Sequence, residues 1–311
     1  MHHHDRAHYR RALVTGASSG LGEVFARELA ASGCDLVLVA RSADRLNDLA
    51  DRLRTRYGRL VEVLPADLTR PGELAAVERR LAQEEAPTDL LVNNAGVLGR
   101  IAPLAQQDLQ GPQELIDLDV RAVVRLTRAA VAAMGGRGEG GVLNVSSMMG
   151  FLPAPRGAVY GGAKAFVTSF SESVHCESAH LGVHVTALCP GSVRTGLHHS
   201  SGSRGGGRLG RFLEPEAVVR DGLAAVAAGR PVCVPGADYR LKAKLSGALP
   251  RAWVRRAVLR RWKQNEPRPK SDQPQPTPHR PHQAENQPRQ PQRHRTPPPP
   301  SAPAAERGST T

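Results

Sequence analysis

Cysteine, aromatic residues and long apolar runs are all scarce in this 311-residue sequence. The four cysteines, Cys34, Cys176, Cys189 and Cys233, are far apart and form no Cys-x-x-Cys pair. That spacing offers no Cys-x-x-Cys metal or redox motif and reads as reduced thiols in a cytoplasmic protein. No stretch offers about 18 uninterrupted apolar residues, so no transmembrane helix is expected. The longest uncharged run, 140–155, contains Asn144, two serines and two prolines and reads as strand plus loop. The N-terminal residues show no apolar stretch of signal-peptide type. Aromatics make up 4% of the chain, and no aromatic-and-basic sheet face or known motif supports nucleic-acid binding.

Two further absences concern charge. The whole chain carries 42 Lys+Arg against 29 Asp+Glu, a net +13, which at face value suggests a partner of negative charge. Residues 1–239 hold 26 basic and 25 acidic residues, whereas residues 240–265 hold nine basic residues and no acidic one. The body is therefore nearly neutral, and a nucleic-acid groove across it is not expected. Within that body lysine is almost missing: Lys164 stands alone among arginines. Such an exception suggests a role needing a compact ammonium rather than a planar fork.

The last 46 residues carry 13 of the 25 prolines and none of Val, Ile, Leu, Phe, Met, Trp or Tyr. A segment of that composition cannot bury enough apolar surface to offset its ordering entropy, so 266–311 is expected to be a disordered tail. Upstream of it, short apolar strands alternate with amphipathic helices. The strands are expected at Ala12–Thr15, Asp35–Ala40, Leu60–Pro65, Asp89–Val92, Val142–Ser146, Val183–Leu188 and Val232–Pro235. The helices fall at Leu21–Ser32, Ala43–Tyr57, Gly72–Glu84, Gln113–Met134, Gly157–Leu181 and Glu214–Ala228. Continuous runs such as Leu36-Val37-Leu38-Val39 suit strands buried on both faces. The pattern predicts an α/β fold, a doubly wound parallel seven-stranded sheet with ligands at the C-terminal strand ends. It sits between a flexible start (1–9) and a basic amphipathic segment (240–265).

After the first strand comes Gly16-Ala17-Ser18-Ser19-Gly20-Leu21-Gly22, a glycine-rich turn entering a helix. Glycines let backbone approach a pyrophosphate closely, and the helix N-terminus offers N–H groups and a positive dipole end. A dinucleotide site that prefers NAD usually has a carboxylate at the end of the second strand. Here that carboxylate is absent and Arg41 follows instead. Its guanidinium could make fork-shaped contacts with a 2′-phosphate, or could simply open the next helix in solvent. NADP is favoured over NAD.

Tyr160 and Lys164 lie four residues apart, on one helix face. An ammonium beside a phenol favours the phenolate and suits proton exchange with a carbonyl or alcohol oxygen. Together with the glycine turn, Asn93-Asn94-Ala95-Gly96, Ser147 thirteen residues before Tyr160, and Cys189-Pro190-Gly191, these motifs resemble the short-chain dehydrogenase/reductase family. The likeness covers about residues 10–260 and is of the single Rossmann-domain type, with 10–239 as dinucleotide-binding and catalytic domain. A looser resemblance, at 235–239, is to bacterial NADP-dependent ketoreductases.

The resemblance implies roles. Tyr160 would be the acid/base, Ser147 would hydrogen-bond the substrate oxygen, and Lys164 would assist Tyr160 and hold the nicotinamide ribose. The cofactor would lie along Gly16, Ser18, Ser19, Gly20, Leu21, Gly22, Arg41, Asp67, Leu68, Asn94, Ala95 and Gly96. Its nicotinamide end would meet Tyr160, Lys164, Pro190, Gly191, Val193 and Thr195. Asp119 departs from the pattern, standing where the family has a catalytic asparagine. An ionised carboxylate there would partly cancel the field of Lys164 and move the acid/base step to more alkaline pH. It also leaves open a weakened or inactive NADP-binding sensor.

Other features read as structural. His175, Cys176, His180 and His184 invite a metal reading, but no fourth ligand is evident and none is expected. Residues 197–212 fall where the family carries a substrate lid, so Leu197, His198 and Phe212 are candidate contacts; a plain surface loop is the alternative. Val97, Met149, Phe151 and Leu152 suggest an apolar small-molecule carbonyl or alcohol as substrate. The long helices at 113–134 and 157–181 are those the family pairs in homodimers or homotetramers. Finally, Trp253, Val254, Val258, Leu259 and Trp262 alternate with basic residues. This suits either peripheral membrane contact through 250–263 or packing of Trp253 and Val258 on the body, which is preferred.

Overall fold

The apolar runs form seven strands: β1 (Arg11–Thr15), β2 (Asp35–Ala40), β3 (Val61–Pro65), β4 (Leu90–Asn93), β5 (Gly140–Val145), β6 (Val183–Leu188) and β7 (Val232–Cys233). The structure is a computed structural model that describes residues 9–194 and 212–265. The expectations for 1–8, Thr195, Leu197, His198 and the 266–311 tail lie outside the described residues. The strands lie in the order β3-β2-β1-β4-β5-β6-β7, with every neighbouring pair parallel.

Between the strands run α1 (Gly20–Ala31), α2 (Ala43–Tyr57), α3 (Pro71–Leu81), α4 (Gln110–Ile116), α5 (Val123–Gly135), α6 (Ala158–Ser178) and α7 (Pro215–Ala227). Two further helices, α8 (Ala237–Ala248) and α9 (Arg251–Asn265), follow β7. Because strand side chains alternate, β2 sends Leu36 and Leu38 into one core with Phe25, Leu46 and Val218. Val37 and Val39 enter the other, with Leu74 of α3 and Leu126 of α5. Each such leucine, wholly withdrawn from water, contributes about 1.5–3 kcal/mol. The strand order reverses between β1 and β4, which opens the crevice where such sheets bind ligands.

Several boundaries differ from the sequence reading. Leu60 is exposed and precedes β3, β4 runs on to Asn93, β5 starts at Gly140, and α3 stops at Leu81. Ala86, at φ 56°, turns the chain shortly after α3. The helix expected over 113–134 is interrupted: a π-helical segment, Asp117–Ala122, separates α4 from α5 and carries the fully buried Asp119. Tertiary contacts of that carboxylate, described below, hold the wider turn in place.

At the C-terminal end the expected packing is corrected. Trp253 is 63% exposed, and Val254 is buried in its place, with Val258 half-buried. The break at Leu249 and Pro250 sets the phase of α9, and periodicity alone does not report that break.

Candidate active site

The turn after β1 is closely packed. Gly16 lies in the left-handed region (φ 65°), and a Cβ on Gly22 would sit 2.1 Å from the Gly16 carbonyl oxygen. Asn94 Nδ2 donates to the Thr15 carbonyl (3.0 Å) and to the Gly16 carbonyl (3.3 Å). The N–H groups of Asn94 and Ala95 both donate to Thr15 Oγ1 at 3.0 Å. The two strands flanking the crevice are thus joined beneath the glycine turn. Ser18 is half-buried, and Ser19, the exposed N-cap of α1, makes no side-chain cap bond. The first N–H groups of α1 are therefore available to an anion. Gly22→Ala is expected to weaken dinucleotide binding by roughly tenfold, because the new methyl must push backbone apart. Titration calorimetry giving an unchanged Kd would refute this.

Arg41 is exposed just beyond β2, and Asp67 lies beyond β3. Burial raises the Asp67 carboxyl, but hydrogen bonds from Thr69 Oγ1 (2.7 Å) and N–H (3.0 Å), with the Arg41 and Arg70 charges, hold it below the ordinary carboxylate value. The Asp67 N–H itself donates to Glu73 Oε2 at 2.6 Å. Asp67 is therefore engaged within its own turn, and Leu68 beside it is buried.

Past β5 the chain delivers Ser146 and Ser147. Ser147 Oγ accepts from the Met149 N–H at 3.2 Å, capping the short 3-10 turn Met148–Gly150. Ser146 Oγ donates to the Lys164 carbonyl at 2.7 Å. A Cβ on Gly150 would lie 2.8 Å from the backbone of Lys164 and Ala165, so the serine segment rests directly on α6.

On α6, Lys164 Nζ lies 5.6 Å from the Tyr160 ring centroid and donates to the Val145 carbonyl at 3.0 Å. The same ammonium pairs with Asp119 Oδ2 at 2.9 Å; the two side chains are 7% and 0% exposed. Asp119 Oδ1 accepts from the Val97 N–H at 3.0 Å, tying the segment after Gly96 to the same pair. Burial pushes the Lys164 ammonium down, but the Asp119 carboxylate, Tyr160 and Cys189 together outweigh burial, and the group ends above the ordinary lysine value. The lysine is therefore a fixed positive charge at neutral pH.

After β6, the Pro190 carbonyl accepts from the Met148 N–H at 3.0 Å. Val193 has its side chain in the core and forms an isolated parallel bridge with Leu213. Local pattern carries little signal for the bracing role of Tyr239. It is fully buried in α8, and its hydroxyl accepts from the Ser192 N–H at 3.2 Å, bracing the Gly191–Ser192 turn. Nor does local pattern reveal the buried network beneath the site. There Asn93 Nδ2 donates to Asn144 Oδ1 (2.9 Å) and to Thr127 Oγ1 (3.2 Å), and Asn144 Nδ2 donates to Ser171 Oγ (3.0 Å). His175 and His184 each face a backbone carbonyl through Nδ1, of Val185 and Val226. Among the described residues no cluster of His, Cys, Asp and Glu could hold a metal ion.

Residues 10–204 match the family model of the short chain dehydrogenases. The chain belongs to that family. An uncharacterized short-chain type dehydrogenase/reductase of Sinorhizobium fredii is 34% identical over 71% of this chain and 85% of its own. A short-chain dehydrogenase from Sphingobium yanoikuyae, solved in complex with NADPH, is 34% identical at a TM-score of 0.68, over 85% of this chain and 98% of that one. The bulky-bulky ketone specific alcohol dehydrogenase of Comamonas testosteroni is 31% identical at a TM-score of 0.66, over 85% and 97%.

As a short-chain dehydrogenase the protein is an oxidoreductase acting on CH–OH and C=O groups with a nicotinamide dinucleotide. The glycine turn fits that group. The space a Gly22 side chain would fill is closed by backbone, while the α1 N–H groups stay uncapped toward the crevice.

Proposed function

We propose that this short-chain dehydrogenase moves hydride between NADP(H) and a carbonyl or secondary alcohol of an apolar small molecule. The observation that carries the reading is the buried Lys164 ammonium beside the Tyr160 ring, on a helix whose Lys164 carbonyl accepts from Ser146, the chain neighbour of Ser147. NADPH held along the Gly16–Gly22 turn would supply the hydride for the carbonyl carbon. Tyr160 gives the proton to the carbonyl oxygen, and Ser147 donates a hydrogen bond to that oxygen as negative charge develops on it. Lys164 stays protonated throughout and favours the phenolate left after proton transfer.

NADP preference is supported by Arg41 and by the absence of a carboxylate at the end of β2. The NADPH held by the Sphingobium relative points the same way. Val97, Met149, Phe151 and Leu152 are half-buried on the loops that follow β4 and β5. Their apolar character, with the ketone named for the Comamonas relative, supports a bulky apolar carbonyl compound.

The test follows loss of the reduced nicotinamide's near-ultraviolet absorbance across a panel of carbonyl compounds, with NADPH and NADH in parallel. Turnover that needs Tyr160 and favours NADPH is the expected result; no turnover with any carbonyl compound would overturn the reading. Arg41→Ala is expected to raise KM for NADPH by roughly tenfold while leaving that for NADH unchanged, since a charge-assisted contact is worth about 1.5–3 kcal/mol. Equal effects on both cofactors would remove Arg41 from 2′-phosphate recognition.

A further inference from the structure

The C-terminal helices α8 and α9 carry a surface that the oxidoreductase reading leaves unused. On α8, Leu241 and Leu245 are 59% and 50% exposed, one helical turn apart, with Arg240 and Lys244 exposed beside them. On α9, Trp253 and Leu259 are 63% and 55% exposed among the exposed Arg251, Arg255, Arg256 and Arg260. The opposite sides of these helices are occupied. Tyr239 anchors α8 beneath the Gly191 turn, while Val254 is buried and Val258 half-buried on α9. Large apolar groups thus stand in water among cations on helices already fixed to the body.

We infer that this face of α8 and α9 docks on an anionic lipid bilayer. Its charge selects the occupant: residues 240–265 contain nine basic residues and no acidic one, so a second copy of the same face would be repelled. A bilayer bearing acidic headgroups attracts each cation within a Debye length and also accepts tryptophan and leucine at the headgroup boundary. A nucleic acid satisfies the cations but has no use for four exposed apolar side chains. No helix among the described residues is long and apolar enough to cross a membrane, so the contact is peripheral. The inference does not depend on the substrate.

The experiment is co-flotation of the full-length protein with vesicles of phosphatidylcholine, with and without phosphatidylglycerol, alongside tryptophan emission. Binding to the anionic vesicles with a blue-shifted emission, and release at high salt, is expected. Arg255→Gln/Arg256→Gln/Arg260→Gln is expected to lower the partition coefficient by roughly a hundredfold, from three surface charges. Trp253→Ser/Leu259→Ser is expected to lower it by roughly tenfold, through lost apolar insertion. Circular dichroism identical to the parent's shows that each variant is folded. The inference is overturned by failure to bind anionic vesicles at low salt, by equal binding to neutral vesicles, or by apolar variants that bind like the parent. Binding to a random DNA duplex tighter than to vesicles would equally overturn it, in favour of a plain polyanion site.

Discussion

Tyr160→Phe is expected to lower kcat for carbonyl reduction by about 10²–10⁴-fold while leaving dinucleotide affinity within a factor of about two. The phenol is the proton donor in the proposed reaction, and phenylalanine keeps the ring over Lys164 while removing the oxygen. The loss corresponds to about 3–5 kcal/mol of transition-state stabilisation. Fold and cofactor site should be untouched, because Tyr160 is half-buried at the first turn of α6 and the glycine turn lies between β1 and α1. Steady-state kinetics and titration calorimetry on the same preparation check both halves. A variant retaining more than a tenth of the parent's kcat would show that another group delivers the proton.

The second large effect is expected at Asp119. Asp119→Ala would leave the Lys164 ammonium buried without its carboxylate and the Val97 N–H without its acceptor. Breaking a buried pair in this way typically costs about 3–5 kcal/mol, which thermal or urea unfolding would register directly. Asp119→Asn is gentler, since it keeps the shape and an acceptor for Val97 but removes the negative charge. With less of the lysine's field cancelled, the phenolate is favoured, and the pH–rate profile is expected to move toward acid by about one pH unit. A profile superimposable on the parent's would dismiss the electrostatic account. The pair also sets a pH window for stability. Lys164 is raised above its ordinary value of 10.5 in the fold. The stabilisation linked to its proton is therefore complete below that value and is lost as pH climbs through the higher folded-state value. Between neutrality and pH 9 the lysine's own titration should leave melting temperature unchanged.

How much of the fold is legible in the chain depends on the range of the interactions involved. Leu36-Val37-Leu38-Val39 announced a strand buried on both faces, because side-chain alternation is local and both cores want apolar groups. The segment 113–134 looked like one helix because its periodicity holds throughout. The π-helical turn at Asp117–Ala122 follows contacts of Asp119 with Lys164 and Val97, which lie far away in sequence. Likewise the five bulky apolar residues in 251–263 offer no local rule for choosing Val254 over Trp253 as the buried one. The seat of α9 on the rest of the fold made that choice.

The β–α alternation, the glycine turn Gly16–Gly22, the Tyr160–Lys164 spacing and the concentration of positive charge after residue 239 are all written in local sequence. Each depends on neighbours within one or two turns of chain, where backbone geometry fixes who meets whom. The Asp119–Lys164 pair, the closure of the turn after β1 by Asn94, and the bracing of Gly191 and Ser192 by Tyr239 arise in the folded chain. Those partners come from separate strands and helices, so they meet only when the parallel sheet brings its strand ends together at one edge.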